Sequence, residues 1–173
     1  CAQGIALEFL ADPNSEPNGT CAATLGGPNF YIPGAPVQVT LVPFEVDFFG
    51  VTLTSVAPEE WTEQGFGAFT APGLGDSGIV QQALPSGFIT TEALAETFAD
   101  QFGLEGEWDI STYEEARDWT IYTAEDAGLI YDIALAEDDD IILVVVLIAT
   151  PDAHDDYYEL VFVPALEAVQ ATQ

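Results

Sequence analysis

The chain has 173 residues, 49% of them hydrophobic, and sets 30 acidic residues against one basic residue, for a formal net charge of -29. That length suits one domain with a sizeable core. The charge excludes nucleic acid and bare anionic membrane surfaces as partners, because binding there needs Lys and Arg to neutralise phosphates. Arg117 is the one permanent cation and His154 the one His, so surface ion pairs cannot hold the fold together.

Three conditions fit such a charge. Strong salt screens the repulsion between carboxylates. An acidic habitat removes much of their charge, because carboxylates titrate near about pH 4. Bound cations or the basic surface of a partner supply the missing positive charge. All three point outside the cytoplasm, or to an unusual one.

The chain opens Cys1-Ala2. This resembles the mature end of a bacterial lipoprotein, a family in which the N-terminal Cys carries the acyl chains. The alternatives are a Cys1–Cys21 disulfide and a chain that simply begins there. Pro13, Pro17, Pro28, Pro33 and Pro36, with Gly4, Gly19, Gly26, Gly27 and Gly34, punctuate the N-terminal stretch. Residues 1–36 read as a Pro/Gly-rich tether and 37–173 as a single α+β domain. Residues 5–10 (I-A-L-E-F-L) could add a strand to a sheet edge. Asn18-Gly19-Thr20 matches the N-x-T glycosylation pattern, which is also a common turn.

Alternation of apolar and polar residues predicts strands over 37–42, 44–49 and 51–56, with Pro43 marking an edge or a bend. Residues 57–61 (A-P-E-E-W) form a turn that carries Trp61. Two short strands are predicted next over 65–72 and 78–84, around the loop G-L-G-D-S-G. That loop lacks the Lys of a phosphate-binding P-loop and reads as a surface turn. A helix opens at Thr90-Thr91-Glu92, with a Thr cap and an acid at the positive end of the dipole. Ala93, Leu94, Phe98 and Phe102 form its buried stripe, and Gly103 and Gly106 end it.

Antiparallel strands are predicted over 107–112, 116–124 and 127–135, with turns near 113–115 and at Glu125-Asp126. Residues 141–149 (I-I-L-V-V-V-L-I-A) are apolar without alternation and rich in β-branched side chains. They predict a central strand buried on both faces. A helix starts at Thr150-Pro151-Asp152, and Pro164 must kink it or begin another.

The acidic run Glu137-Asp138-Asp139-Asp140 could hold a hard cation, but lacks the spacing of a Ca²⁺ loop and reads as a solvated hairpin turn. Asp152 and His154, with Asp155 and Asp156, could ligate Zn²⁺, yet acids in a first helical turn are expected for capping alone. Asp138, Asp139, Asp140, Asp152 and His154 are thus the metal candidates, set against no expected metal or cofactor. A lone His without a nucleophile makes no triad, so no catalytic residue is assigned and no enzyme is expected. Arg117 reads as a buried or stacked ion pair beside Trp119 and Glu115. Trp61, Trp108 and Trp119 read as core rather than as a ligand groove.

From about Phe44 to Val169 the order of elements resembles the PsbP-like family. The shared features are a strand leading into the P-x-x-W turn of Pro58 to Trp61, short strands, and the helix from Thr91. After that helix come three meandering strands, the apolar strand 141–149 and a closing helix ending P-A-L-E-A-V. The resemblance implies an antiparallel sheet flanked by helices, an α/β/α sandwich. It also implies a protein that binds or stabilises larger assemblies and is not an enzyme. The family's usual basic residues are absent here. The expected function is a lipid-anchored extracytoplasmic accessory subunit or binding module of a membrane complex, at the cell surface or in the periplasm. The alternative is a filament or surface-layer subunit that self-assembles by strand addition.

Overall fold

The computed structural model describes residues 38–48, 50–73, 77–102, 104 and 108–172, all within one compact unit, Ile32–Gln173. Cys1, Asn18, Cys21 and the segment 5–10 lie outside the described residues. No helix among the described residues is long and apolar enough to cross a membrane.

The fold is α+β and its sheets are antiparallel. Strands β1 (Leu41–Phe48) and β2 (Val51–Pro58) pair as a hairpin, and β10 (Gln170–Thr172) joins the other side of β2. The larger sheet holds β3 (Thr62–Gly65), β4 (Ala68–Thr70), β5 (Gly78–Pro85), β6 (Asp109–Tyr113), β7 (Trp119–Asp126), β8 (Leu129–Asp138) and β9 (Ile141–Ala149). Its order is β3-β4-β5-β9-β8-β7-β6, which puts β9 in the middle.

Both faces of β9 are covered, as its unbroken apolar run predicts. Leu143, Val145 and Leu147 pack into one cluster with Leu53 of β2, Trp119 of β7, and Val161, Phe162 and Leu166 of the C-terminal helical segment. Ile142, Val144 and Val146 pack into the other, under Leu94 and Ala95 of helix α1 (Thr91–Phe102). The small sheet and the C-terminal helices thus cover one face, and α1 covers the other. Thr90 Oγ1 accepts from the Ala93 N–H (3.3 Å) and caps α1. The buried stripe of α1 is shifted from expectation: Ala95 is buried and Ala93 exposed.

The C-terminal segment comprises α2 (Pro151–Tyr157), a π-helical turn (Tyr158–Phe162) and α3 (Val163–Ala168). The Val163 N–H donates to the Tyr158 carbonyl, five residues back. This widened turn accommodates Pro164, which has no N–H to donate.

Several expected boundaries move. Pro43 does not split β1; it sits exposed within an edge strand, where its missing N–H leaves no ladder bond unmade. Residues 62–70 form a hairpin, with Phe66 (φ 54) and Gly67 (φ 73) at its tip. A Cβ on Gly67 would stand 2.1 Å from the Gln81 carbonyl oxygen, so this position is closed to any larger residue. The turn between β7 and β8 is at Ala127-Gly128 (φ 52 and 81), not at Glu125-Asp126. Two-residue hairpin loops favour positive φ at both central positions, which Gly128 supplies without strain.

Candidate functional site

Asp132 interrupts the apolar run of β8, and its side chain projects to the same face as Ala134 and Ala136, toward the C-terminal helices. It is 1% exposed. Its carboxylate accepts twice: Thr123 Oγ1 of β7 donates to Oδ1 at 2.7 Å, and His154 Nε2 of α2 lies 2.7 Å from Oδ2. A buried carboxylate needs such partners, because an unpaired one carries a penalty of several kcal/mol, on the order of its lost hydration. The small side chains of Ala134 and Ala136 leave room for the helix to approach. The His154 ring also lies against Tyr158, with centroids 5.7 Å apart. Burial, and secondarily the Asp132 charge, raise the Tyr158 pKa.

This constellation has the members of a hydrolytic triad in the wrong order. In a triad the imidazole stands between acid and nucleophile and takes the nucleophile's proton. Here the carboxylate stands in the middle, and the Thr123 hydroxyl donates to it rather than to His154. The arrangement ties α2 to β7 and β8.

Arg117 is likewise turned inward. Its guanidinium stacks over the buried Trp119 ring at 5.9 Å, donates through Nη1 to the Val169 carbonyl, and approaches Asp138 Oδ2 at 3.4 Å. It thereby closes the negative end of α3 and holds the β8–β9 hairpin. The expected stacked ion pair forms, with Asp138 as its acid and Trp119 as its stacking partner. Gln81 of β5, fully buried, donates through Nε2 to the Val56 carbonyl at 2.8 Å and joins the two sheets.

The metal candidates are dispersed among these structural roles. Asp138 pairs with Arg117, while Asp139 (φ 53) and Asp140 form the two-residue loop between β8 and β9. Asp152 lies in the first turn of α2, and His154 stands between Asp132 at 2.7 Å and Asp155, whose Oδ1 is 3.3 Å from His154 Nδ1. Among the described residues no three His, Cys, Asp or Glu side chains converge as metal ligands.

Besides an open hollow of about 240 Å³ lined by Asp138, Asp139, Asp140, Ile141, Ala171 and Thr172, two concavities stand out among the described residues. A cleft of about 110 Å³ is lined by Val39, Thr40, Pro58, Trp61, Pro72 and Tyr157. It is smaller than the roughly 300–1,000 Å³ of typical small-molecule sites. Trp61 stands edge-on to Tyr157 at 5.1 Å, and Trp108 edge-on to Tyr122 at 6.1 Å, both as packing contacts. The second is an open hollow of about 510 Å³ lined by Thr112, Tyr113, Glu114 and Glu115 at the end of β6. There the Tyr113 hydroxyl donates to Glu167 Oε1 at 2.6 Å, and this bond, chiefly, pushes its pKa up to about 12.

Sequence reasoning missed Thr123, Asp132 and Gln81. The lone acid inside I-Y-D-I-A-L-A was a legible signal for Asp132; its partners, distant in sequence, were not.

No family model matches the chain. No curated protein matches it. The fold is similar to the solution structure of cyanobacterial PsbP (CyanoP) from Synechocystis sp. PCC 6803, with TM-score 0.49 and 12% identity over 84% of this chain and 100% of that one. It is also similar to the Saccharomyces cerevisiae Ran-binding protein Mog1p, with TM-score 0.47 and 12% identity over 76% of this chain and 96% of that one. Both are likenesses in the layout of strands and helices, and at these values neither assigns this chain a family or a function.

Proposed function

We propose that the chain is a non-enzymatic binding or accessory module that works outside the cytoplasm and takes a partner bearing positive charge. The observation that carries this reading is where the charges sit. The one Arg and the one His are both engaged within the chain, on Val169, Trp119 and Asp138 and on Asp132 and Asp155. The surface carboxylates are left to be neutralised from outside, by salt, by protons or by a partner's Lys and Arg. The location rests on composition.

Titration of the native chain with polylysine and with polyglutamate tests the reading. Polylysine is expected to bind at low salt with an affinity that falls steeply as salt rises, and polyglutamate not to bind. Turnover of an ester, peptide or phosphate substrate that is lost in a folded His154→Gln variant would instead make the chain an enzyme. Intact mass of the native protein separately reads the expectation at Cys1: an added diacyl or triacyl mass supports anchoring, and an unmodified mass removes it.

One observation favours the second reading, self-assembly by strand addition: β6 presents an exposed, regular edge. Like charge on every copy opposes it except in strong salt or acid. Large assemblies of this chain alone, seen by light scattering or microscopy, would support it.

A further inference from the structure

Each sheet has two edges, and an open edge offers unpaired backbone groups to any extended chain. Among the described residues three of the four are blunted. β1 carries the exposed Pro43. β10 is three residues long. β3 is four residues long, with a register irregularity between Glu63 and Gly65; such irregularities twist an edge away from pairing. The fourth edge, β6, has none of these devices. Its five residues pair with β7 in unbroken register, and alternate residues turn N–H and C=O groups away from β7. Four of the five are exposed, including Ile110 at 64%.

The side chains around this edge are sorted by face. Ile110 stands opposite Tyr122, on the apolar face beneath α1. Asp109, Ser111 and Tyr113 stand on the other face, where Tyr113 meets Glu167. Glu114 and Glu115 come directly after and line the open hollow. Arg117, the one cation in this stretch, is turned inward to Val169.

We infer that β6 is the docking edge for an extended, cationic segment of a partner protein, which adds as an eighth strand with apolar side chains on the Ile110 face and Lys or Arg on the Asp109–Glu167 face. The inference rests on the reading of the chain as a module for a basic partner. Charge complementarity selects the occupant: a second copy of this chain would bring a net charge of -29 against the same edge. Backbone pairing supplies affinity, and the alternation of side chains supplies register.

The probe is a short peptide alternating Lys and Val, titrated into the full chain at low salt, with backbone hydrogen exchange read residue by residue. Two controls are the same peptide N-methylated at alternate residues and a peptide alternating Glu and Val. Expected results are binding of the Lys/Val peptide and new protection confined to residues 109–113. Binding should be about tenfold weaker or worse for the N-methylated peptide and for the exposed-site variant Ile110→Lys. The Glu/Val peptide should not bind. Equal binding of the N-methylated peptide, or protection elsewhere, would overturn edge pairing and leave the charge reading standing. No binding of either basic peptide would overturn both. Self-association that protects 109–113 without peptide would replace the cationic segment by a second copy.

Discussion

β9 and β6 belong to the same sheet, one at its centre and one at its rim, and differ in nearly everything a strand can differ in. β9 is nine residues without a charge, and eight of them are buried; β6 is five residues, four of them exposed, running into two glutamates. The difference comes from what lies over each. α1 covers one face of β9, and the C-terminal helices with the small sheet cover the other, while among the described residues β6 has a neighbour on one side only. Stability is concentrated where there is no charge, and charge is concentrated where there is little to destabilise. A chain can carry 30 acids and one Arg when, among the described residues, its core holds a single carboxylate and that one is paired.

The largest way to break that contrast is to put a charge into the centre. Val145→Asp is expected to abolish folding, because an unpaired buried charge costs several kcal/mol against a total stability of roughly 5–15 kcal/mol. A cooperative melt like the parent's, followed by circular dichroism, would contradict the placement of β9. Next comes the one charge the core tolerates. His154→Ala leaves Asp132 buried with Thr123 alone and should destabilise by about 3 kcal/mol in urea denaturation. Adding Asp132→Asn should recover part of the loss, since a neutral amide is less costly to bury.

The sequence made the centre legible and the joints obscure. The apolar run of β9, the Thr-capped α1 and the hairpin loop at Asp139-Asp140 are local patterns, and each formed close to its expected bounds. β10 is too short to show a period, and its pairing with β2 spans the chain, so no window of sequence reveals it. The segregation of β1, β2 and β10 into a separate sheet was invisible for the same reason. In the polar clusters the residue types were seen but the partners were not. The sequence groups His154 with Asp152, Asp155 and Asp156; the fold keeps it against Asp155 and adds Asp132, distant on β8.

Arg117 lies between the two regions, tying the rim of β7 to the end of α3. Arg117→Ala should cost about 2 kcal/mol, the order expected for a charged hydrogen bond together with a cation–π contact. Loss of protection in β10, which directly succeeds Val169, would mark the anchor as the cause.

Near the rim, pH acts through Tyr113. Its folded pKa is raised above the ordinary value of about 10, so the stability from its bond to Glu167 is present in full below that pH. That stability is lost as pH rises through about 12. Burial raises Tyr122 and Tyr158 as well, so the late phenolate absorbance should lose only its Tyr113 component, which moves back toward the ordinary range in Glu167→Gln. The smallest effect belongs to the edge itself: Ile110→Thr should change the unfolding free energy from urea denaturation by no more than roughly 0.5 kcal/mol, because the side chain is already mostly in water.

The contrast between a closed centre and an open rim is measured most directly by native-state hydrogen exchange of the free chain across the seven-stranded sheet. Amides of β9 are expected to exchange only through global unfolding, with protection falling through β8 and β7. The outward amides of β6 should exchange with almost none. If those β6 amides are as protected as β9, the edge is already occupied in the free protein and is not available to a partner.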